Sequence, residues 1–361
     1  MPKDEHCSHN LDPRDQSPAD FFFRAGRLEL SPQNARRWLA HVIGKGELCL
    51  SEWSRQGILP RRCIEPRREL PRLRIERHDG SRASNFQKLV FRTLDNLTVE
   101  SVIIPLHRPG AFSICLSSQI GCAMRCRFCS TGRMPVRRDL ETWEIIDQYI
   151  QAREIIRHGG GRATGAVFMG MGEPFLNYER VMAAAELLCY PVEGAIGARA
   201  ITISTVGFVP EIERFTSENR KFRLSISLGA ATDGKRKLLM PAAARTPVEQ
   251  IMAAAKRHAL SRRTRVMLSY VCISGVNVAK EDARALGELI GDTPVRLDLI
   301  EVDDRAGRYL PPGTLELGEF RDALRRYVGQ PVVRRYSGGS DIRASCGALG
   351  SGPSLGPGSR W

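Results

Sequence analysis

The apolar positions of the chain form short runs rich in β-branched residues, and these runs alternate with amphipathic stretches of helical period. The first two runs lie in KLVFRTLDNLTVESVIIP, where they flank Asp95-Asn96, a pattern typical of a β-hairpin. Farther along, strand-like segments such as GAVFMG and TRVMLSYVCI are separated by helical segments such as PVEQIMAAAKRHAL. Repeated βα units predict an α/β fold with a parallel sheet, either open or closed toward a barrel. Ligands of such folds bind at the carboxyl ends of the strands.

The N-terminal part of the chain lacks this alternation. Residues 1–23 are polar and show no periodicity, so we expect a mobile tail there. The stretch SPQNARRWLAHVIGKG predicts a helix that Ser31 caps and that Gly44 ends. A second short helix and an arginine-rich stretch, residues 61–68, follow. We interpret residues 24–75 as a basic helical module suited to RNA, although a charged face can also simply be solvated.

Length, charge and cysteine usage narrow the class of protein. A chain of 361 residues with 42% hydrophobic content is long enough for one large catalytic domain with a smaller appendage. The formal net charge of +14 favours a polyanionic partner, and a basic surface without a partner is the alternative. The N-terminus does not resemble a signal peptide, and no apolar run is long enough to cross a bilayer. We therefore expect a cytoplasmic protein with no membrane partner, whose ten cysteines are reduced.

Three of the cysteines, Cys122, Cys126 and Cys129, share the spacing C-x3-C-x2-C. Thiolates at this spacing can converge on one small object, and an iron–sulfur cluster with three Cys ligands keeps one iron open. The aromatic Phe128 would shield such a cluster on one side. A zinc knuckle would need a fourth Cys or His nearby, and the nearest cysteine on either side is Cys115. Free buried cysteines are the other alternative.

Small and acidic residues follow the predicted strands. After GAVFMG come Gly172, which lets backbone approach a ligand, and Glu173, whose carboxylate can accept from an amino group. Ser204 and Ser227 end later strands with hydroxyls that could bond a carboxylate or a ribose. Ordinary turn residues are the alternative at all these positions. Near the C-terminus, Cys346 lies alone in a glycine-rich segment, where a chemical role explains it better than packing does.

The cysteine spacing, its aromatic residue and the Gly-Glu-Pro element together resemble the radical S-adenosylmethionine (SAM) superfamily, whose open iron binds the amino and carboxylate groups of SAM. With Cys346 included, residues 89–349 resemble the radical methyl synthases that methylate carbon 2 or carbon 8 of an adenine in RNA. The resemblance implies a partial (β/α) barrel, one 4Fe–4S cluster, SAM, a ribosomal or transfer RNA substrate, an electron donor such as flavodoxin or ferredoxin, and a monomer. The expected organisation is a tail (1–23), a basic helical module (24–75), a β-hairpin (76–107), the radical SAM core (108–340) and a C-terminal segment with the catalytic cysteine (341–361).

The resemblance also implies roles for single residues. Cys346 would accept a methyl group from one SAM, and a radical formed from a second SAM would activate that methyl group for addition to the base. Glu100, in the second strand of the hairpin, would accept a proton from the adduct. Cys115 would then attack the sulfur of Cys346 to release the product, which leaves a transient disulfide. The implied SAM-binding residues are Gly172, Glu173, Ser204, Ser227, Leu228, Gly229 and Asp303.

Two of these positions depart from the family pattern. Gly229 stands where His is common after the Ser-Leu pair, and Asp303 stands where Pro-x-Asn is usual. The target RNA, adenine and carbon stay open, because substrate shape is recognised without a short sequence code. Two other functions also stay open. A radical enzyme that modifies a protein or a small molecule would not need Cys115, Glu100 and Cys346 together, and the intact cluster ligands argue against a catalytically weakened RNA-binding relative.

Overall fold

The computed structural model describes residues 12–61, 69–335 and 337–350. The α-helices of these ranges are α1 (Pro18–Arg27), α2 (Pro32–Leu39), α3 (Leu50–Arg55), α4 (Thr142–His158), α5 (Tyr178–Cys189), α6 (Val209–Ser217), α7 (Asp233–Leu239), α8 (Val248–Arg262), α9 (Lys280–Ile290) and α10 (Thr314–Tyr327). The strands are β1 (Arg74–Gly80), β2 (Gln87–Arg92), β3 (Thr98–Pro105), β4 (Ala111–Cys115), β5 (Gln119–Ile120), β6 (Arg138–Asp139), β7 (Arg162–Phe168), β8 (Ile201–Thr205), β9 (Arg223–Ser227), β10 (Val266–Cys272), β11 (Val295–Glu301) and β12 (Val332–Arg334).

One large sheet organises the described residues, with the strand order β1-β2-β3-β4-β7-β8-β9-β10-β11-β12. The pairs from β1 to β4 are antiparallel, and every pair from β4 to β12 is parallel. A helix lies between each two successive parallel strands in the chain, as the alternating pattern predicts. Within the described ranges no pairing joins β1 to β12, so the sheet is an open, partial barrel. The predicted α/β fold class is confirmed.

The predicted hairpin is present, and it is part of the large sheet. Strands β2 and β3 pair antiparallel with Val90 opposite Glu100, and Asn96 in the connecting turn has a φ of 61°. The prediction missed β1, which pairs with β2 and begins inside the predicted helical module. Its sequence RIERHDG lacks the alternating apolar pattern, because β1 is an edge strand with mostly exposed side chains. Strand β4 pairs with β3 and with β7, so the sheet continues across the predicted boundary at residue 107.

The prediction of a mobile tail is wrong for residues 12–23, whereas residues 1–11 lie outside the described ranges. Arg14 is fully buried and donates to the carboxylates of Asp12 and of Asp147, the latter on α4, with an Nη1–Oδ1 distance of 3.0 Å. Helix α1 follows, and its Phe21 packs against the core. This segment is held in place by buried ion pairs between charged residues. Such residues give no apolar periodicity, so the hydrophobic pattern of the sequence did not indicate an ordered segment here.

The second helix begins as predicted and ends later than predicted. The Ser31 hydroxyl accepts from the Asn34 N–H at 3.2 Å, which confirms the cap. The chain does not stop at Gly44 but continues through a π-helical turn to Gly46, which has a φ of 70°. Gly44 serves packing instead, since a Cβ there would lie 3.0 Å from the Glu193 carbonyl oxygen. Of the arginine-rich stretch, residues 62–68 lie outside the described residues.

Candidate active site

A cavity of about 150 Å³ lies at the carboxyl ends of the parallel strands. The loop between β4 and α4 forms one wall, and residues at the ends of β7 to β11 form the others. Adjacent parallel strands bring their carboxyl ends to one edge of the sheet, so residues far apart in sequence meet there. The sequence-predicted residues that line the cavity are Cys122, Cys126, Cys129, Gly172, Glu173, Ser204, Ser227, Gly229 and Cys346.

The three cysteines of the C-x3-C-x2-C loop present thiols to this cavity. Burial raises the pKa of Cys122 to about 12, and it raises the pKa of Cys126 and of Cys129 above the ordinary value. Thiols in such apolar surroundings ionise when they bind a metal. No three metal-ligating side chains in the described part of the chain are placed to hold a single metal ion. Three thiolates that bind separate irons of one cluster need not share an ion, so this donor set fits a cluster.

Glu173 is a buried carboxylate in the lining of the same cavity, with 2% of the residue exposed. It accepts from the backbone N–H groups of Phe175 at 3.1 Å and Val206 at 3.0 Å. Burial raises its pKa to about 7, the direction expected for a desolvated carboxylate, and the carboxylate also interacts with the positive charge of Arg236. Gly172 precedes it with a φ of 103°, and a Cβ there would lie 2.7 Å from the Gln119 backbone nitrogen. This wall therefore suits the amino group of a ligand.

Gly229 lies on the wall formed by the end of β9. Its φ is 76°, and a Cβ at this position would lie 2.4 Å from the sulfur of Met240, which also lines the cavity. The His that is common here in the family would therefore collide with Met240. The neighbouring Leu228 is buried in the core and does not line the cavity, although its predicted role was SAM binding. The sequence analysis also missed Ser269 and Met240 as lining residues.

Arg236, on α7, is a buried cation beside the cavity that the sequence did not reveal. It is 0% exposed and donates to the carbonyl oxygens of Ser227 at 3.2 Å, of Leu228 and of Val206. Burial lowers its pKa to about 10, and the negative charge available at Cys126 opposes that shift. Its Nε has no hydrogen-bond partner in the described structure. Arg236 thus connects the ends of β8 and β9 and places a positive charge near Cys126.

Asp303 does not line this cavity, so its role in SAM binding stays a prediction. Its carboxylate accepts from Arg305 Nη2 at 2.9 Å and from the Ser345 hydroxyl. Both donors bind the same oxygen, Oδ2, and through Ser345 this oxygen contacts the C-terminal segment. In this structure the hydrogen bond with Asp303 positions Ser345, the residue before Cys346.

The segment that carries Cys346 is attached to the cysteine loop by hydrogen bonds. The Ser130 N–H donates to the Gly347 carbonyl oxygen at 2.7 Å, and the Thr131 hydroxyl donates to the Leu349 carbonyl oxygen at 2.8 Å. These contacts explain how a residue near the C-terminus comes to line the same cavity as the three loop cysteines.

A second cavity of about 80 Å³ joins Cys346 to Cys115. Both thiols line it, together with the guanidinium-bearing residue Arg335. Burial raises the pKa of Cys115 to about 12, and the positive charge of Arg335 opposes that shift. No disulfide joins the cysteines of the described residues. Cys346 lines both cavities, so it lies between the predicted nucleotide site and Cys115.

Glu100 lines neither cavity, yet it contacts the C-terminal segment. It is 3% exposed, and its carboxylate accepts from the Gly350 N–H at 3.0 Å. The ammonium of Lys88, on the neighbouring strand β2, lies 4.0 Å from the same carboxylate. Burial lowers the pKa of Lys88, and Glu100 opposes that shift. The structure therefore brings Glu100 close to the segment of Cys346 without exposing it to either cavity.

Comparisons with known proteins identify this arrangement. The sequence profile of the radical SAM superfamily matches residues 116–286, which contain the cysteine loop and the strand ends up to β10. A crystal structure of a radical SAM methyltransferase from Sphaerobacter thermophilus superposes with a TM-score of 0.85 and 32% sequence identity, covering 94% of this chain and 99% of that one. Fold and site thus define a radical SAM enzyme, whose family implies a 4Fe–4S cluster and SAM.

Curated relatives give the particular family. One from Anaeromyxobacter sp., described as a "probable RNA methyltransferase", is 44% identical and spans 91% of this chain and 96% of its own. Another from Heliobacterium modesticaldum, described as a "probable dual-specificity RNA methyltransferase RlmN", is 40% identical over 76% of this chain and 72% of its own. The chain belongs to the radical SAM RNA methyltransferase family, which confirms the resemblance. In the described ranges, no helix has the length and apolarity that a membrane crossing requires.

Proposed function

We propose that this protein methylates an sp2 carbon of adenine in RNA, either ribosomal or transfer RNA, with Cys346 as the methyl carrier. One observation carries the proposal: Cys346 lines the same cavity as Cys122, Cys126 and Cys129. A methyl carrier must receive its methyl group where SAM binds and must be activated there. A purely structural cysteine would need no such position.

Different residues of the cavity lining would bind the cluster and SAM. Cys122, Cys126 and Cys129 would hold the 4Fe–4S cluster, which when bound supplies the electron that cleaves SAM. The carboxylate of Glu173 would accept from the amino group of SAM, because it is a buried acceptor in the lining of the cavity that the three cysteines share. Ser204 and Ser227 also line this cavity, so their hydroxyls would be available for the carboxylate or the ribose of SAM.

Product release would use the second cavity. Cys346 would remain bonded through its sulfur to the carbon that has added to adenine. The thiolate sulfur of Cys115 then bonds to the sulfur of Cys346 as the bond from Cys346 to the product carbon breaks. The electron pair of that bond stays with the product carbon, which takes up a proton to complete the methyl group. Glu100 would accept the proton from the adduct, and Lys88 at 4.0 Å would stabilise the carboxylate. In the structure the Glu100 carboxylate accepts a hydrogen bond from the Gly350 N–H. The C-terminal segment must therefore shift before the carboxylate can contact the base.

The reaction also requires partners. An electron must reach the cluster, so we propose flavodoxin or ferredoxin as the donor. We further propose that the enzyme acts as a monomer in the cytoplasm.

The function is tested on RNA from a host with and without the gene. Ribosomal and transfer RNA are digested separately, and methylated adenosines are compared by mass spectrometry. We expect one methyladenosine to be missing from the host that lacks the gene. Expression of the wild-type protein in that host should restore it, and expression of Cys346→Ala should not. Cys189→Ala is the matched control, since Cys189 is a cysteine of α5 outside both cavities. Identical methyladenosine content in the two hosts would contradict the proposal.

A further inference from the structure

An open cleft of about 530 Å³ lies beside the cysteine loop, separate from the two cavities described above. Its lining includes four arginines, Arg125, Arg127, Arg133 and Arg308, and contains no acidic residue among the described residues. Arg125 and Arg127 flank Cys126 in sequence and are exposed. We refer to this feature as the arginine cleft.

Two of the guanidinium groups contact one buried carboxylate. Asp304, whose side chain is 0% exposed, accepts from Arg133 Nη1 at 2.7 Å and lies 3.7 Å from Arg308 Nε. Arg308 also donates through Nη2 to the Arg127 carbonyl oxygen at 2.6 Å. Asp304 neutralises one of the four positive charges of the cleft, so an excess of positive charge remains, and two of the guanidinium groups are already oriented.

Ser130 connects the arginine cleft to the segment that carries Cys346. Arg133 Nη2 donates to the Ser130 hydroxyl at 3.1 Å. The backbone N–H of the same Ser130 donates to the Gly347 carbonyl oxygen at 2.7 Å, directly after Cys346. A ligand bound in the cleft would therefore lie close to the place where Cys346 meets its substrate.

We propose that the arginine cleft binds backbone phosphates of the substrate RNA next to the target adenine. This inference rests on the proposed function. Planar guanidinium groups bind phosphate through paired hydrogen bonds and are weakly hydrated, which suits a preorganised cluster of this kind. Phosphate contacts fix the register of a nucleic acid and leave the base free to enter a site. Here they would hold the strand while the adenine reaches Cys346.

The test is the double variant Arg125→Gln/Arg127→Gln, which leaves both contacts of Asp304 in place. Binding to an RNA stem-loop that contains the target adenine is measured from low to high salt. We expect affinity at moderate salt to fall about tenfold or more, and the slope of log affinity against log salt to decrease by about 1.4 to 1.8 for two lost phosphate contacts. Arg325→Gln/Arg326→Gln, on the exposed part of α10, is the matched control and should keep the wild-type affinity and slope.

A second variant separates charge from geometry. Arg125→Lys/Arg127→Lys keeps both charges and loses the planar forks, so we expect weaker binding with a nearly unchanged salt slope. Iron content and melting temperature are measured for each variant, so that a lost cluster is not mistaken for a lost RNA contact. If the lysine variant binds no better than the glutamine variant, phosphate neutralisation in the cleft is contradicted.

An acidic electron-donor protein is the competing occupant, and the same variants distinguish it. Turnover is measured with dithionite and with reduced flavodoxin. Wild-type RNA affinity and salt slope in the glutamine variant would overturn the inference, and a loss of turnover with flavodoxin alone would assign the cleft to the donor. If the wild-type enzyme methylates RNA while the variant binds RNA normally, only this inference fails. If the wild-type enzyme methylates no RNA, the proposed function fails.

Discussion

At the scale of single residues, the position of Cys346 between two cavities separates the roles that we propose for Cys346 and Cys115. Cys346→Ala removes the methyl carrier, so we expect neither methylated protein nor product. Cys115→Ala keeps the carrier and the larger cavity but removes the sulfur on the far side of the smaller cavity. That variant should accumulate protein covalently bound to RNA, because the bond to the product is no longer broken.

The readout for both cysteine variants is a denaturing gel with labelled RNA, run after anaerobic reaction with SAM and a reductant. Cys272→Ala serves as a control, since Cys272 is buried in β10 and lines neither cavity. Normal turnover of the labelled RNA by Cys115→Ala would rule out the two-cysteine mechanism.

Glu173 makes the stability of the cluster-free protein depend on pH. Its pKa is raised by burial from 4.5 to about 7, so folding favours the protonated carboxyl. The folded state therefore loses stability as pH rises between these two values, and the loss levels off above pH 7. Relative to Glu173→Gln, we expect the wild-type free energy of unfolding to fall by roughly 2 kcal/mol between pH 5 and pH 8. Urea unfolding at several pH values measures this difference, and a constant difference would show that Glu173 is not desolvated.

At the scale of elements, Arg236 of α7 connects the ends of β8 and β9. Its guanidinium is fully buried and donates to the carbonyl oxygens of Ser227, Leu228 and Val206. Arg236→Met keeps much of the volume and leaves these carbonyls unpaired. We expect a loss of about 2 kcal/mol or more in the free energy of unfolding, measured by urea denaturation of the cluster-free protein. Lys237→Met, at the next position of the same helix, should change stability by much less, and equal losses would contradict a specific role for Arg236.

At the scale of the whole molecule, the buried group of Arg14, Asp12 and Asp147 attaches the N-terminal segment to the sheet domain. Arg14→Ala would leave Asp147 buried without its cation, and Asp147 would keep only its contacts to Leu73 and Gln151. Removing one partner of a buried ion pair costs about 3–5 kcal/mol, so we expect a large drop in unfolding free energy. Arg24→Ala, at an exposed position of α1, is the control. Equal stability of Arg14→Ala and wild type would show that the segment is not docked in solution.

The cluster ligands and the fold class could be predicted from sequence because both depend on local properties. The spacing of Cys122, Cys126 and Cys129 limits how far apart their thiols can lie, whatever the rest of the chain does. Alternating strand and helix periods likewise indicate a parallel sheet. Gly172 and Glu173 lie in the loop after β7, at the edge of the sheet where ligands of such folds bind. The role of Cys346 came from the family resemblance, since no local pattern places it near the loop.

The tertiary structure alone decided which distant residues meet and which charges are buried. Asp303 follows β11 as predicted, yet it bonds Ser345 and Arg305 instead of lining the cavity. Arg236 lies in a stretch, GKRKLL, that has the composition of a solvated helix, and it becomes buried only because β8 and β9 present carbonyl oxygens to it. The side-chain period of a segment determines its own faces, whereas burial and partnership depend on segments that arrive from elsewhere in the chain.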